Sequence, residues 1–316
     1  MTTRRERISS SHLLENPRLA GLGLQVLAGR AGLAREVTNP RLQKPGLALA
    51  GFLASVKPGR VHVLGSSEAQ FLATLPPATA AQRIEALVAL LPPLIVVSKG
   101  MRDTADLFVP MCERFEVPLA LASVTTSVVI ERLSSTLEFI LAPREVYHGD
   151  LLDIFAIGVL LLGDSGSGKS ECALELVHRG HRLVADDIVE VFRLRNEDLI
   201  GQAPEQIRGL MEVRGLGLIS IEQLFGVVAV RDSKPIDLVI RLAAEDGSQV
   251  ERLGLAESTI EILDVRRPVL TVPVAPGKSL ALLIECAARK YLLTQRGVTD
   301  VAVEYLSRHD RELQGR

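Results

Sequence analysis

The chain has 316 residues, of which 47% are hydrophobic and 23% charged, so it carries enough apolar surface for one or two cores and is not a disordered polymer. Its 36 Lys and Arg against 38 Asp and Glu leave a formal net charge of -2, which excludes a polybasic field toward nucleic acid or anionic lipid. Aromatic residues at 3%, with no Trp, also argue against base stacking as the main mode of binding.

Three widely spaced cysteines, Cys112, Cys172 and Cys286, in a chain without a signal-peptide pattern predict reduced thiols and a cytoplasmic protein. The most apolar stretches, Ala86 to Val97 and Ile154 to Leu162, fall short of the ~20 residues of a membrane span. No membrane helix and no nucleic-acid partner are expected. The Arg-rich start is interrupted by Glu6 and Glu15 and reads as folded or frayed protein rather than a transit peptide.

In chain order, Val61 to Leu64 reads as a short strand, with Ser66-Ser67-Glu68 opening a helix. A helix from Ala80 to Leu91, a strand at Leu94 to Val97, a helix near Thr104 to Phe115 and a strand at Leu119 to Ala122 continue the alternation. A helical stretch begins near Thr125 and Pro143 breaks it, which puts a domain boundary in that interval. His148-Gly149-Asp150 then leads into one apolar strand that ends at Leu162, followed by a Gly-rich loop and a helix from Ser170 to His178. Strands are expected at Val189 to Leu194, Gly226 to Arg231, Asp237 to Leu242 and Val269 to Val274, with closing helices at Ser279 to Gln295 and Val301 to Leu313.

Gly163-Asp164-Ser165-Gly166-Ser167-Gly168-Lys169-Ser170 satisfies G-x-x-x-x-G-K-[ST] between an apolar strand and a helix, the context that gives the motif its meaning. Glycines let backbone N–H groups turn toward phosphate oxygens, Lys169 reaches the β and γ phosphates, and Ser170 offers a hydroxyl to Mg²⁺. ATP and Mg²⁺ are the ligands this implies. Asp186-Asp187 ends an apolar stretch with two carboxylates, as a phosphoryl-transfer site needs one acid for metal and one for the nucleophile; on their own, paired acids also decorate turns. Glu212, set among apolar and glycine residues, points to a metal or to a solvated strand face. His148 is either brought near the acids by the returning chain or a structural loop residue. Arg252 either stabilises a transferring phosphoryl group or pairs on the surface. In Val274-Ala275-Pro276-Gly277-Lys278-Ser279 a Pro-Gly turn precedes a helix, either a second phosphate contact or an ordinary helix entry. Cys172, Cys286, His178 and His181 read as structural.

Taken together these residues resemble the HPr kinase/phosphorylase family. The likeness runs through His148-Gly149, the Gly163 to Glu171 loop, Arg179 to Asp187, Glu212 to Gly217 and Arg252 to Leu255, and more loosely through Leu64-Gly65, Pro118-Leu119, Thr125 to Ser127 and Leu141 to Pro143. The resemblance implies an α/β protein with an N-terminal α/β domain of uncertain role, 1–134, and a P-loop kinase domain with a mixed sheet, 135–316. It implies a kinase that phosphorylates a serine of the phosphocarrier protein HPr and reverses this with inorganic phosphate to give pyrophosphate. In that reading Lys169 and the loop hold nucleotide, Ser170 and Glu212 bind Mg²⁺, and Asp187 handles the serine proton. His148 and Asp186 support that acid, Arg252 steadies the phosphoryl group, and the protein is a cytoplasmic homohexamer.

The family's dephosphorylation segment usually reads P-V-R-P-G-R-N, whereas here it is Pro273-Val274-Ala275-Pro276-Gly277-Lys278-Ser279. Loss of one Arg and its replacement by Lys at the other position predict weaker phosphate recognition in the reverse direction, since Lys lacks the bidentate fork. A P-loop GTPase is excluded by the lack of an N-K-x-D signature. The competing reading is a P-loop kinase acting on a small molecule.

Overall fold

The computed structural model describes residues 3–4, 7–194, 197–244, 258–275, 277 and 279–298. Two compact units divide the chain, one Arg4–Ala142 and the other the segment from Pro143 onward together with Thr3.

In the first unit, strands β1 (Gln25–Ala28), β2 (His62–Leu64), β3 (Ile95–Val97) and β4 (Leu119–Leu121) form a sheet in the order β1-β4-β3-β2. The last three strands run parallel, and β1 pairs antiparallel with β4. Leu64, Ile95, Val97 and Leu119 face one side; there they meet helices α1 (Ser66–Ala73), α2 (Pro77–Val88) and α3 (Arg102–Arg114) through Leu72, Ile84, Leu87 and Phe108. Val63, Val96 and Ala120 face the other, against Val129, Leu133, Leu137 and Ile140 of α4 (Thr126–Ile140). A parallel sheet covered on both faces explains why these strands read as short unbroken apolar runs. The expected boundary at 134/135 falls inside α4, whose last two turns belong to this core, so the units part between Ala142 and Pro143.

The second unit is an α/β unit built on a mixed sheet, as expected. Its strands are β5 (Pro143–Ile154), β6 (Ile157–Gly163), β7 (Arg182–Ala185), β8 (Ile188–Arg193), β9 (Leu199–Gln202), β12 (Ser233–Pro235), β13 (Leu238–Ala244), β14 (Ser258–Ile262) and β15 (Val265–Val274). The main order is β12-β9-β8-β5-β6-β13-β15-β14, with β7 also on β5; β6, β13 and β15 are mutually parallel. A separate hairpin joins β10 (Leu210–Val213) and β11 (Gly217–Ser220). Period-2 alternation sends Leu152, Ile154, Val159, Leu161, Ile240 and Leu242 to one face. They pack there on α5 (Lys169–His178) and α6 (Leu280–Gln295). Leu151, Leu160 and Val239 point the other way, toward Val189, Val191, Leu199 and Ile262.

Three expectations are corrected. The single strand ending at Leu162 is a hairpin that turns at Phe155 and Ala156, with φ of 51° and 67°. Both are left-handed, a conformation that Asn or Gly usually announces, and neither is present. Lys234 Nζ donates to the Ala156 carbonyl at 2.6 Å, and the Phe155 ring lies between His181 and Arg289, so tertiary contacts fix this turn. The strand expected at Gly226 to Arg231 is instead a short 3-10 turn, Val227–Ala229, with Val227 and Val228 exposed. Cys286, expected to be structural, is exposed on α6, whereas Cys112 and Cys172 are buried; all three are free thiols. The expected helix at Val301 to Leu313 lies outside the described residues.

Gly158 marks the tightest crossing: its N–H donates to Asp237 at 2.8 Å, and a Cβ there would stand 1.7 Å from the Pro235 carbonyl oxygen. Gly158→Ala is therefore expected to force β6 and β12 apart and cost about 3 kcal/mol, read as a lower urea midpoint.

Candidate active site

β6 ends at Gly163 and α5 begins at Lys169, so the intervening loop wraps the N-terminus of the helix. Gly166 and Gly168 adopt φ of +81° and +82°, which glycine allows without a Cβ clash. Gly168 caps α5 without any side-chain hydrogen bond, leaving the first-turn amides for an anion. Lys169 Nζ folds back to donate to the carbonyls of Gly163 and Asp164, at 2.9 and 3.0 Å. Ser167 Oγ is buried and has no partner within the protein. Asp164 and Ser165 are exposed at the loop's tip. An unmet hydroxyl, open amides and the Lys169 ammonium together fit the oxygens of a polyphosphate.

The two acids arise from an interruption in a strand. β7 and β8 both pair antiparallel with β5, Ala185 opposite Leu151 and Ile188 opposite His148, so Asp186 and Asp187 fall opposite Asp150 and Gly149. Between them the chain makes a γ-turn: the Ile188 N–H donates to the Asp186 carbonyl at 2.7 Å, with Asp187 at φ 60°. The Asp187 N–H donates to Asp150 Oδ1 at 3.1 Å, and Gly149 N–H donates to the Asp187 carbonyl at 3.0 Å. A side chain on Gly149 would lie 2.3 Å from the Leu161 carbonyl oxygen, so only glycine allows β5 and β6 to close at this point. The turn leaves the Asp187 side chain exposed and turns Asp186 inward, where it is buried.

Asp186 Oδ2 accepts the Glu212 N–H at 3.0 Å and also interacts with Ser170, so this one carboxylate joins α5 to the β10–β11 hairpin. Glu212 itself is exposed on β10, opposite Leu218. His148 is exposed on β5, paired in register with the residue after Asp187. Thus the loop, Asp186, Asp187, His148 and Glu212 are brought together. Arg252 lies outside the described residues, as do Pro276 and Lys278.

The Pro273 to Ser279 segment leaves the end of β15, where Pro273 pairs with Ala243 and Val274 with Ala244 of β13. β13 in turn runs parallel to β6, with Leu242 opposite Gly163. The segment and the phosphate loop therefore leave the same edge of the sheet, the carboxyl ends of parallel strands where α/β proteins bind ligands. Gly277 has φ +82°, and Ser279 caps α6 by accepting the Leu282 N–H at 3.3 Å.

Asp150 is the site residue that sequence reading missed. It is fully buried, and its Oδ2 and Asp186 Oδ1 have no other protein donor, so a proton held between the two carboxyls satisfies both. Burial first, and the Asp186 charge second, push Asp150 up to about 7; burial likewise raises Asp186. An acid between Gly149 and the buried Leu151-Leu152 pair, at a register that turns inward, is the one signal that could have found it.

Two family models match the chain: "HPr Serine kinase N terminus" over residues 9–137 and "HPr Serine kinase C-terminal domain" over residues 140–309. The chain belongs to the HPr serine kinase family. A Geobacillus kaustophilus protein named HPr kinase/phosphorylase is 43% identical over 286 residues, covering 90% of this chain and 91% of its own. Proteins of the same name from Bacillus subtilis and Geobacter sulfurreducens are 42% and 44% identical, covering 87% and 88% of this chain and 89% and 87% of theirs. A solved structure titled as the HPr(Ser) kinase/phosphatase from Coxiella burnetii aligns with a TM-score of 0.45 at 33% identity, covering 48% of this chain and 99% of that one. Membership of this family makes the protein an enzyme, a phosphotransferase.

The raised Asp150 pKa has a consequence for stability. The folded protein binds a proton that the unfolded chain releases near pH 4, so this group's contribution is complete below that value and is lost as pH rises through about 7. Asp150→Asn removes that dependence. The variant is expected to match the natural protein near pH 4 and to exceed it by roughly 1 to 3 kcal/mol at pH 8, read from denaturant midpoints at both pH values.

Proposed function

We propose that the protein transfers the γ-phosphoryl group of ATP to a serine hydroxyl of the phosphocarrier protein HPr, and runs the reverse reaction in which inorganic phosphate attacks phosphoserine to give serine and pyrophosphate. The observation that carries this reading is the exposed carboxylate of Asp187, set in a strained turn beside a complete phosphate loop, in a chain that matches both HPr serine kinase domains.

The loop amides and Lys169 bind the nucleotide phosphates, with Lys169 exchanging its carbonyl contacts for phosphate oxygens. Ser170 and Glu212, oxygen donors both, suit a hard cation, and they would hold Mg²⁺ together with the phosphates. Bound there, the cation would neutralise charge on the phosphate oxygens. Asp187 accepts the serine proton in the forward direction and returns it to the seryl oxygen in the reverse. Asp186 and Asp150 lie buried behind it and hold its backbone, while His148 flanks it from β5. Arg252 is proposed to steady the transferring phosphoryl group. Pro273 to Ser279 is proposed as the contact for the attacking phosphate in the reverse direction, the working form as a homohexamer, and the compartment as the cytoplasm. Among the described residues no helix is long and apolar enough to cross a membrane.

Incubation with γ-labelled ATP and purified HPr tests the assignment: label is expected on an HPr serine, whereas HPr-independent transfer to a metabolite would favour a small-molecule kinase. Lys169→Ala is expected to abolish transfer with the fold intact. Asp187→Ala is expected to lower transfer ~10²- to 10⁴-fold in both directions while ATP affinity stays within a few-fold; an equal loss of ATP affinity would make Asp187 chiefly a binding residue.

The altered segment adds a directional expectation. Phosphorolysis must hold a free phosphate in line with phosphoserine, and one lost charge-assisted contact is worth ~1.5 to 3 kcal/mol, or roughly tenfold or more in rate. The natural protein is expected to favour the kinase direction, and Ala275→Arg with Lys278→Arg to shift the ratio toward pyrophosphate release. An unchanged ratio across a phosphate titration would reduce the segment to a helix entry.

A further inference from the structure

The phosphate-loop helix α5 and helix α6 already share an apolar interface, Ala173, Leu176 and Val177 against Ala281, Ile284 and Ala288. Beside it lies a polar network, most of whose members have no part in the proposed transfer chemistry. Arg179, which closes α5, makes a two-pronged contact with Glu285 of α6: Nε donates to Oε1 at 3.2 Å and Nη2 to Oε2 at 3.0 Å. His181 Nε2 lies 2.9 Å from the same Oε1. His181 is 8% exposed and Glu285 13%, so both are largely out of water. Arg179 Nη1 also donates to Glu175 Oε1 at 3.4 Å, and that oxygen accepts the Ser279 hydroxyl at 3.3 Å.

The network therefore runs His181–Glu285–Arg179–Glu175–Ser279 and ends on the last residue of the Pro273 to Ser279 segment. The apolar interface alone would hold the helices together, and an ion pair whose Arg179 side chain is 37% exposed adds little to stability by itself. What a two-pronged guanidinium–carboxylate contact adds is direction, since it fixes both the rotation and the sliding of α6 against α5. The segment is then anchored at both ends, through Pro273 on β13 and through Ser279 on Glu175. The Arg179 hydrogen bond, helped by His181 and opposed by burial, holds the Glu285 carboxyl below the usual carboxylate range, so the pair stays charged near neutral pH.

We propose that Glu285 and Arg179 are positioning residues that set the distance between the Pro273 to Ser279 segment and the phosphate loop, and thereby the affinity for the inorganic phosphate consumed in the reverse reaction. This rests on the reading given above for the two directions of transfer. Since the nucleotide phosphates of the forward direction are held at the loop and not at the segment, disturbing the network should separate the two activities.

The test uses the full chain. Glu285→Gln keeps the side chain's volume and removes its charge, and Arg179→Lys keeps a charge but removes the fork. Forward rates with ATP and HPr, and reverse rates with phosphoserine-HPr across a phosphate titration, are measured for each. Glu285→Gln is expected to leave kcat/KM for ATP within threefold while raising the KM for phosphate about tenfold with kcat little changed, and Arg179→Lys to fall between it and the natural protein. Parallel losses in both directions that track a fall in Tm would make the network structural glue, and unchanged phosphate KM would remove its role; either overturns the proposal. If the natural protein transfers nothing to HPr, the functional reading fails separately. Calorimetric titration of inorganic phosphate alone, on the natural protein and on Glu285→Gln, then still decides the proposal: equal affinities overturn it and a roughly tenfold loss supports it.

Discussion

The second unit depends on a carboxylate pair kept out of water. Asp150 and Asp186 face each other from β5 and the interrupted strand opposite, and Asp186 reaches both Ser170 at the start of α5 and the backbone of Glu212. Three chain segments far apart in sequence therefore meet on one acid. Two buried carboxyls side by side cannot both ionise cheaply, so they share one proton below about pH 7, and Lys169 supplies part of the compensating field. The resulting cluster is rigid because each of its parts has few alternatives once desolvated.

From that cluster the exposed acid takes its orientation. Asp187 sits at φ 60°, a conformation asparagine and aspartate tolerate better than most residues, and its N–H is satisfied by Asp150 rather than by the ladder. Strain of this kind costs on the order of 1–3 kcal/mol and persists only where the surroundings impose it. Here β7 and β8 impose it from both sides, because each is in register with β5 and the intervening pair must span the break.

Much of this was legible in the sequence, for identifiable reasons. The phosphate loop could be read because its glycines, lysine and serine have fixed offsets and need only the strand before and the helix after. The short strands at Leu64, Val97 and Leu121 could be read because a parallel sheet covered on both faces leaves unbroken apolar runs between turn residues. The hairpin at Phe155 and Ala156 could not, since no local residue marks it and its turn is held by Lys234, His181 and Arg289, all remote in sequence. Val227 and Val228 misled in the opposite sense, being β-branched and apolar yet exposed in a 3-10 turn. Asp150 was passed over because its strand also carries Glu145, His148 and Asp153, and a buried acid among them shows its role only when a second acid is known to lie across the ladder.

The parallel order β6, β13, β15 supplies the last step. Parallel strands present their carboxyl ends together, so the loop after Gly163 and the segment after Val274 emerge on one edge without any sequence signal linking them. A nucleotide phosphate and a second phosphate recognised by these two loops would lie side by side across β13. That is the arrangement a protein needs if one set of acids is to serve both the making and the phosphorolysis of a phosphoserine. On the proposed reading, Ala275 in place of a guanidinium touches only one of the two loops, so the kinase machinery would stay complete while the reverse direction is tuned separately.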